Sequence, residues 1–196
     1  DEDYKLRLSC AEALGKIGDK YAVIPLINIL KDENEKSVYV KESAAMALGM
    51  LGDNRALNPL ISILESKNGL VSKFSFLKER IIEVLSNFGS NNDDVYKALT
   101  LNLNDESPFV RISAIEALAN CKEDSKEQTF RLIKNCLLKE NNEDVIEACL
   151  YNLFNISNIN SIQEIVEQNQ ENVKLKRIYD NILSDIKEDY CEESDL

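Results

Sequence analysis

The sequence lacks the residues on which many enzyme sites depend. Its 196 residues include no histidine and no tryptophan. Without histidine, the chain cannot form a Ser-His or Cys-His nucleophilic site, a histidine metal site or an imidazole pH switch. The sequence also contains no glycine-rich phosphate-binding loop. These absences argue against an enzyme, and we expect no catalytic residue, no cofactor and no metal site.

Glycine and proline are scarce, with six and three residues, and no apolar run has the length of a membrane span. Acidic residues outnumber basic ones by 35 to 23, which gives a formal net charge of −12. Such a charge repels nucleic acid and anionic lipid, because binding to both relies on Lys and Arg. We therefore expect no nucleic-acid and no membrane partner, whereas a basic protein or peptide remains compatible with the charge.

The first residue is Asp1 rather than Met, and no charged and apolar leader follows it. We expect the chain to be a fragment of a larger protein. Residues 188–196 are acidic and predict a disordered tail. The five cysteines are odd in number and form no Cys-x-x-Cys pair, so we expect them to fill helical cores in a reducing, cytoplasmic compartment. They are Cys10, Cys121, Cys136, Cys149 and Cys191.

An apolar pattern typical of α-helices recurs six times. In each copy the apolar residues lie at positions i, i+4, i+8 and i+11, which share one face of a helix. The first copy consists of Leu6, Cys10, Leu14 and Ile17, and the other five begin at Val40, Leu77, Val110, Val145 and Leu175. A second apolar segment follows each of the first five copies, which predicts helical hairpins near 4–32, 38–66, 75–104, 108–139 and 143–168, with a last helix at 172–187. We expect these to form a single repeat domain over residues 1–187.

The two most regular copies share three short motifs. Residues 6–32 and 40–64 carry Ala-Leu-Gly, Gly-Asp and Pro-Leu-Ile in register, 34 residues apart. They resemble the HEAT-repeat family, in particular the short HEAT-like repeats named after phycobilisome lyases. The resemblance implies an all-α fold, a right-handed α-solenoid (α–α superhelix) of about five to six helical hairpins.

The resemblance also implies a ladder of acid–base contacts between repeats. In this family a basic residue directly follows the first apolar position of a hairpin's first helix, and an acid lies six residues before that position. The basic positions are occupied by Arg7, Lys41, Lys78, Arg111 and Lys176, and the acidic ones by Asp1, Glu35, Asp105 and Glu140. We expect this ladder to be structural rather than an anion site.

Two surfaces are candidates for binding a partner. The resemblance implies that the second helices of the hairpins line a concave face, where we expect Asn28, Asn58, Ser62 and Tyr96 to point outward and contact a peptide or helix. The long connection at residues 66–76 supplies a second candidate, Phe74 and Phe76. These two rings either anchor a partner or tuck under the loop with Leu70 and Val71.

Taken together, the repeats and the absent chemistry favour a non-enzymatic, monomeric scaffold or adaptor that binds another protein or peptide. An alternative from a different class is a chromophore or small-molecule lyase of the HEAT-like lyase type. That alternative requires a deep apolar pocket near residues 66–76 and a reactive, exposed cysteine.

Overall fold

The computed structural model describes residues 3–67, 69–88, 92–120 and 125–193, with side chains as far as residue 186. Within these ranges the regular structure is helical and contains no strand. The α-helices are α1 (Asp3–Ile17), α2 (Val23–Lys31), α3 (Val38–Leu51), α4 (Leu57–Leu64), α5 (Gly69–Lys73), α6 (Ser75–Asn87), α7 (Asp93–Asn102), α8 (Pro108–Ala119), α9 (Lys126–Leu137), α10 (Glu143–Ile156), α11 (Ile159–Gln168) and α12 (Val173–Glu193). None of those described is long and apolar enough to cross a lipid bilayer.

The chain divides into two compact units, residues 1–122 and 123–196. In the first unit, α1, α3, α6 and α8 pack on one another in chain order, and we call these the A helices. The B helices α2, α4 and α7 form a parallel series, each also packed against the A helix that follows it. Hairpins that contact the next hairpin along the chain define an α-solenoid. The all-α solenoid expected from the sequence is therefore confirmed.

In the second unit, α10 packs against α9, α11 and α12. The division between the units falls within the fourth predicted repeat, whereas the sequence predicted one repeat domain over residues 1–187. Because each repeat of a solenoid contacts only its neighbours, an array can divide into compact units without changing its fold class.

The end of the chain also differs from the prediction. Helix α12 continues to Glu193, six residues past the predicted end at residue 187. Residues 188–193 therefore extend the last helix, where the sequence predicted the start of a disordered tail. Glu is a good helix former, and no Gly or Pro interrupts this stretch. Residues 194–196 of the predicted tail lie outside the described residues.

Glycines set the spacing and the ends of the A helices. Gly18 and Gly52 follow α1 and α3 with φ angles of 78° and 57°, a left-handed conformation that glycine adopts without strain. Gly15 has a different role, because a Cβ atom there would lie 2.8 Å from the Cα atom of Ala47 on α3. The glycine of the Ala-Leu-Gly motif therefore permits close packing of α1 on α3.

The first apolar set does not lie in the core. Leu6 is 66% exposed, and Cys10 and Ile17 are exposed as well, so the expectation that Cys10 fills a helical core is wrong. The residues 34 positions later, Val40, Ala44, Leu48 and Leu51, are buried. Helices α1 and α2 pack against the apolar face of α3 and cover it. No helix within the described residues covers the corresponding face of α1 in this way.

The other cysteines divide between burial and partial exposure. Cys149 is buried in α10, as expected, and Cys136 is half-buried in α9. Cys121 lies outside the described residues, and the side chain of Cys191 lies outside the described side chains.

In the second unit, the Tyr179 hydroxyl is buried and has no hydrogen-bond partner among the described residues. Its ring stacks on Phe154 with centroids 6.0 Å apart, and burial raises the pKa of the hydroxyl. We expect Tyr179→Phe to raise the free energy of unfolding by about 1 kcal/mol, because it removes an unsatisfied polar atom and keeps the ring. Urea unfolding measures the change, and Tyr21→Phe, at an exposed tyrosine, serves as the control with no expected effect. A less stable Tyr179→Phe variant would contradict this account.

Candidate protein-interaction site

Three aromatic rings cluster on the surface of the first unit, where α3 meets α6. The Tyr39 and Phe76 rings are stacked with centroids 6.4 Å apart, and Phe74 meets Phe76 edge-on at 5.9 Å. Tyr39 is 57% exposed and Phe74 39% exposed, while Phe76 is half-buried. Val71 in the long connection is buried, whereas the Phe74 ring is exposed and does not tuck under the loop beside it. We call Tyr39, Phe74 and Phe76 the aromatic cluster.

The repeat itself positions these rings. Tyr39 and Phe76 are each the second residue of an A helix, directly before a fully buried residue, Val40 or Leu77. Burial of that neighbour fixes the helix rotation, so the preceding residue lies at the edge of the packed face. Phe109 has the same place in α8 and is 60% exposed. Sequence reasoning missed Tyr39 and Phe109, although comparing the residue before each apolar set would have found both.

A groove of about 400 Å³ begins at the aromatic cluster and follows the outward faces of α3, α6 and α8. Phe76 is one of its lining residues. The charged residues that line it are four glutamates and one arginine, a formal charge of −3: Glu42, Glu79, Glu83, Glu116 and Arg80. We call this the acidic groove.

Arg80 lies inside the acidic groove and bridges two of its acids. Its Nη2 atom is 3.2 Å from Glu42 Oε1 on α3, and its Nη1 atom donates to Glu83 one turn further along α6. Neither Glu79 nor Glu116 forms an ion pair within the described part of the chain. The groove thus pairs part of its negative charge internally and presents the rest to solvent.

The residues predicted on the B helices are only partly brought together. Asn58 and Ser62 are exposed on α4 and line a second, open groove with Glu65, Asp94 and Lys97. Asn28 is exposed on α2, and Tyr96 is half-buried on α7. Among the described residues, neither Asn28 nor Tyr96 lines this groove. The described lining of this groove contains no aromatic ring, so it offers a weaker anchor than the aromatic cluster.

Two acid–base contacts join neighbouring A-helix segments. Arg7 donates from Nε and Nη2 to Glu35 at 2.6 and 3.1 Å, and Lys78 Nζ donates to Asp105 Oδ2 at 2.5 Å. Each acid also accepts a backbone N–H two residues further on, from Ser37 or Ser107, at 2.9 Å. Each acid therefore stabilises the turn that leads into an A helix, α3 or α8, and binds a basic residue of the A helix before it.

Two further basic residues of the ladder, Arg111 and Lys41, donate to backbone oxygens. Arg111 Nη1 donates to the carbonyls of Asp105 and Glu106 at 2.9 and 3.1 Å. Lys41, which is 4% exposed, donates from Nζ to the carbonyls of Ile29, Leu30 and Asp32 at 3.1, 2.7 and 2.7 Å. Burial lowers the pKa of its ammonium group. Lys41 therefore joins two hairpins by capping the end of α2.

The Arg7–Glu35 pair makes stability depend on pH. The hydrogen bonds from Arg7 are the main reason why the pKa of Glu35 is lowered in the folded state. In the unfolded chain the pKa of Glu is about 4.3, so as the pH falls below this value the unfolded state binds more protons than the folded state. The stabilisation by the ion pair is therefore complete above this pH and is lost as the pH falls through the lowered pKa of the folded state.

We expect Glu35→Gln to be less stable than the wild type at pH 7, and this difference to be smaller at pH 3, below the Glu pKa of the unfolded chain. Urea unfolding at the two pH values measures the difference, and the exposed Glu12→Gln serves as the control with no such convergence. A difference of equal size at both pH values would show that the charge of Glu35 is not involved.

The pocket near the long connection has a different character from the one that the lyase alternative requires. It lies between the ends of α2, α4 and α5 and has a volume of about 520 Å³. No cysteine is among its described lining residues, half of which are charged: Lys31, Asp32, Glu33, Glu35, Lys36, Lys41 and Lys73. The exposed Cys10 lies on α1, which contributes nothing to this lining.

The fold and the site define a class of protein: an α-solenoid of short helical hairpins with an aromatic cluster and an acidic groove on its A helices. More particularly, the family model described as HEAT repeats matches residues 1–76, so this part of the chain is similar to HEAT repeats. It spans α1 to α5 and the start of α6, including the aromatic cluster.

Similar solved structures include a crystal structure of an engineered protein, 17% identical in sequence, with a TM-score of 0.49. That similarity covers 94% of this chain and 92% of the engineered protein. Another is human deoxyhypusine hydroxylase in complex with glycerol, 16% identical, with a TM-score of 0.43, covering 94% of this chain and 80% of the hydroxylase. No curated protein matches the sequence.

Proposed function

We propose that this chain is a non-enzymatic scaffold or adaptor module that binds another protein through its A helices, acting as a monomer. The observation that carries the proposal is the aromatic cluster, which leaves the rings of Tyr39 and Phe74 exposed where two repeats meet. Aromatic residues at the centre of an interface commonly dominate its binding energy. An exposed group of such rings is also more typical of an interaction surface than scattered single apolar residues are.

The sequence and the fold support this proposal. HEAT-type solenoids present extended surfaces that other proteins bind. The sequence contains no histidine, and the described residues contain no group of three or more Cys, Asp or Glu side chains that could hold a metal ion. These observations favour recognition over histidine-based or metal-assisted chemistry as the role of this surface.

A photo-crosslinking experiment tests the proposal. We would replace Phe74 by p-benzoylphenylalanine, irradiate the protein in lysate of its source cells and identify crosslinked proteins by mass spectrometry. Ile159, which is 42% exposed compared with 39% for Phe74, is the matched control position in the second unit.

We expect a discrete set of proteins to crosslink at position 74 and not at position 159, and to be lost when Tyr39→Ala and Phe76→Ala are added. Crosslinking of the same proteins at both positions, or of none at position 74, would overturn the proposal.

A further inference from the structure

We infer that the partner segment bound at the aromatic cluster is a basic stretch of polypeptide, with Arg or Lys side chains lying along the acidic groove. This inference rests on the proposed function and names the chemistry of the partner. Its starting point is that the cluster and the groove form one continuous surface, because Phe76 belongs to both.

The rings favour a cation with an apolar stem. The exposed faces of Tyr39 and Phe74 can hold a guanidinium or ammonium group by cation–π interaction, and an arginine side chain stacks well on such rings. Phe109, 60% exposed at the same repeat position of α8, extends the row of aromatic residues to a third A helix.

The charges follow the same repeat register. Glu42 and Glu79 lie two residues after the first apolar positions of their helices, and Glu83 and Glu116 lie six residues after theirs. Stacked A helices therefore place acids side by side in two rows that run across the repeats. A chain that crosses the helices meets a carboxylate at each repeat, which suits a peptide with several spaced basic residues.

The protein's own Arg80 shows that the groove accommodates a guanidinium group. It lies between Glu42 and Glu83, with its side chain 28% exposed. A partner arginine can bind Glu79 and Glu116 in the same manner, because these carboxylates form no ion pair within the described residues. With a formal charge of −3, the groove repels phosphate backbones, so we commit to polypeptide rather than nucleic acid.

Fluorescence anisotropy with a defined probe tests the inference. The probe is a fluorescein-labelled peptide of about 12 residues that alternates arginine and serine, compared with the same peptide carrying citrulline, a neutral isostere of arginine. The groove variant is Glu79→Gln/Glu116→Gln. The matched control is Glu33→Gln/Glu171→Gln, which makes the same change in net charge at two exposed acids that lie outside the groove and outside both rows.

We expect the groove variant to bind the arginine peptide at least about ten-fold more weakly, the control variant to change by less than about two-fold, and the citrulline peptide not to bind. Arg80→Gln frees Glu42 and Glu83 and is expected to strengthen binding several-fold. Circular dichroism and urea unfolding confirm that each variant is folded.

Three results would overturn the inference: equal weakening in the groove and control variants, unchanged binding in the groove variant, or no binding of the arginine peptide to the wild type. None of these affects the crosslinking result at position 74. A neutral or acidic protein crosslinked there would preserve the proposed function while excluding a basic partner.

Discussion

Leu48→Ala is expected to lower the free energy of unfolding by about 3 kcal/mol, while the same substitution at Leu6 changes it by less than about 0.5 kcal/mol. Leu48 is fully buried in α3, at the junction that α1 and α2 cover. Removing its side chain leaves a cavity in a packed region, so the variant loses both the transfer free energy and van der Waals contacts. Leu6 is 66% exposed, so its truncation removes little buried surface.

Urea unfolding of the two variants side by side measures this difference. The pair is informative because both residues belong to the same sequence pattern and undergo the same chemical change. Losses of similar size in Leu48→Ala and Leu6→Ala would contradict the exposure of α1, and would mean that its apolar face is covered in solution.

The second large effect is expected for Lys41→Met, which we predict to lower the free energy of unfolding by about 3 kcal/mol. The methionine keeps most of the apolar stem but removes three hydrogen bonds to the carbonyls of Ile29, Leu30 and Asp32. The last carbonyls of a helix have no partner within the helix, and a cation at this end also interacts favourably with the helix dipole. Without the ammonium group, the Leu30 carbonyl loses a donor in a buried position.

Lys36→Met is the matched control for this prediction. Lys36 also donates to a single backbone carbonyl, that of Glu33, but this contact is exposed and water can replace it. We expect its effect to remain below about 0.5 kcal/mol. If Lys41→Met proved as stable as Lys36→Met, water would be satisfying the α2 carbonyls and the capping role of Lys41 would be excluded.

The helical pairs could be predicted because their information is local. The apolar spacing specifies a helix and its apolar face, and Gly18 and Gly52 mark where two of the helices end. Neither signal depends on the rest of the chain. The exposure of Leu6 and Cys10 could not be predicted in the same way, because periodicity indicates which face is apolar but not whether another helix covers it.

The candidate site was only half predictable for a related reason. Phe74 and Phe76 stand out because they are two aromatic residues close together in an unusually long connection. Tyr39 has no such distinguishing feature in the sequence, and its role becomes visible only when α3 is packed against α6. The acidic groove depends in the same way on side chains from three helices, Glu42, Glu79 and Glu116 among them. Such juxtapositions arise from the registry between repeats, which a search for motifs in one segment does not detect.

The way in which the hairpins of the first unit are joined has a consequence for the order of folding. The ion pairs that link neighbouring A-helix segments connect residues close in sequence: Arg7 and Glu35 are 28 positions apart, and Lys78 and Asp105 are 27 apart. Closing loops of this length costs little entropy, and contacts of this range favour rapid folding. As each hairpin leaves the ribosome, its acid can engage the A helix synthesised before it. The first unit can therefore be assembled one hairpin at a time during translation, without waiting for the rest of the chain.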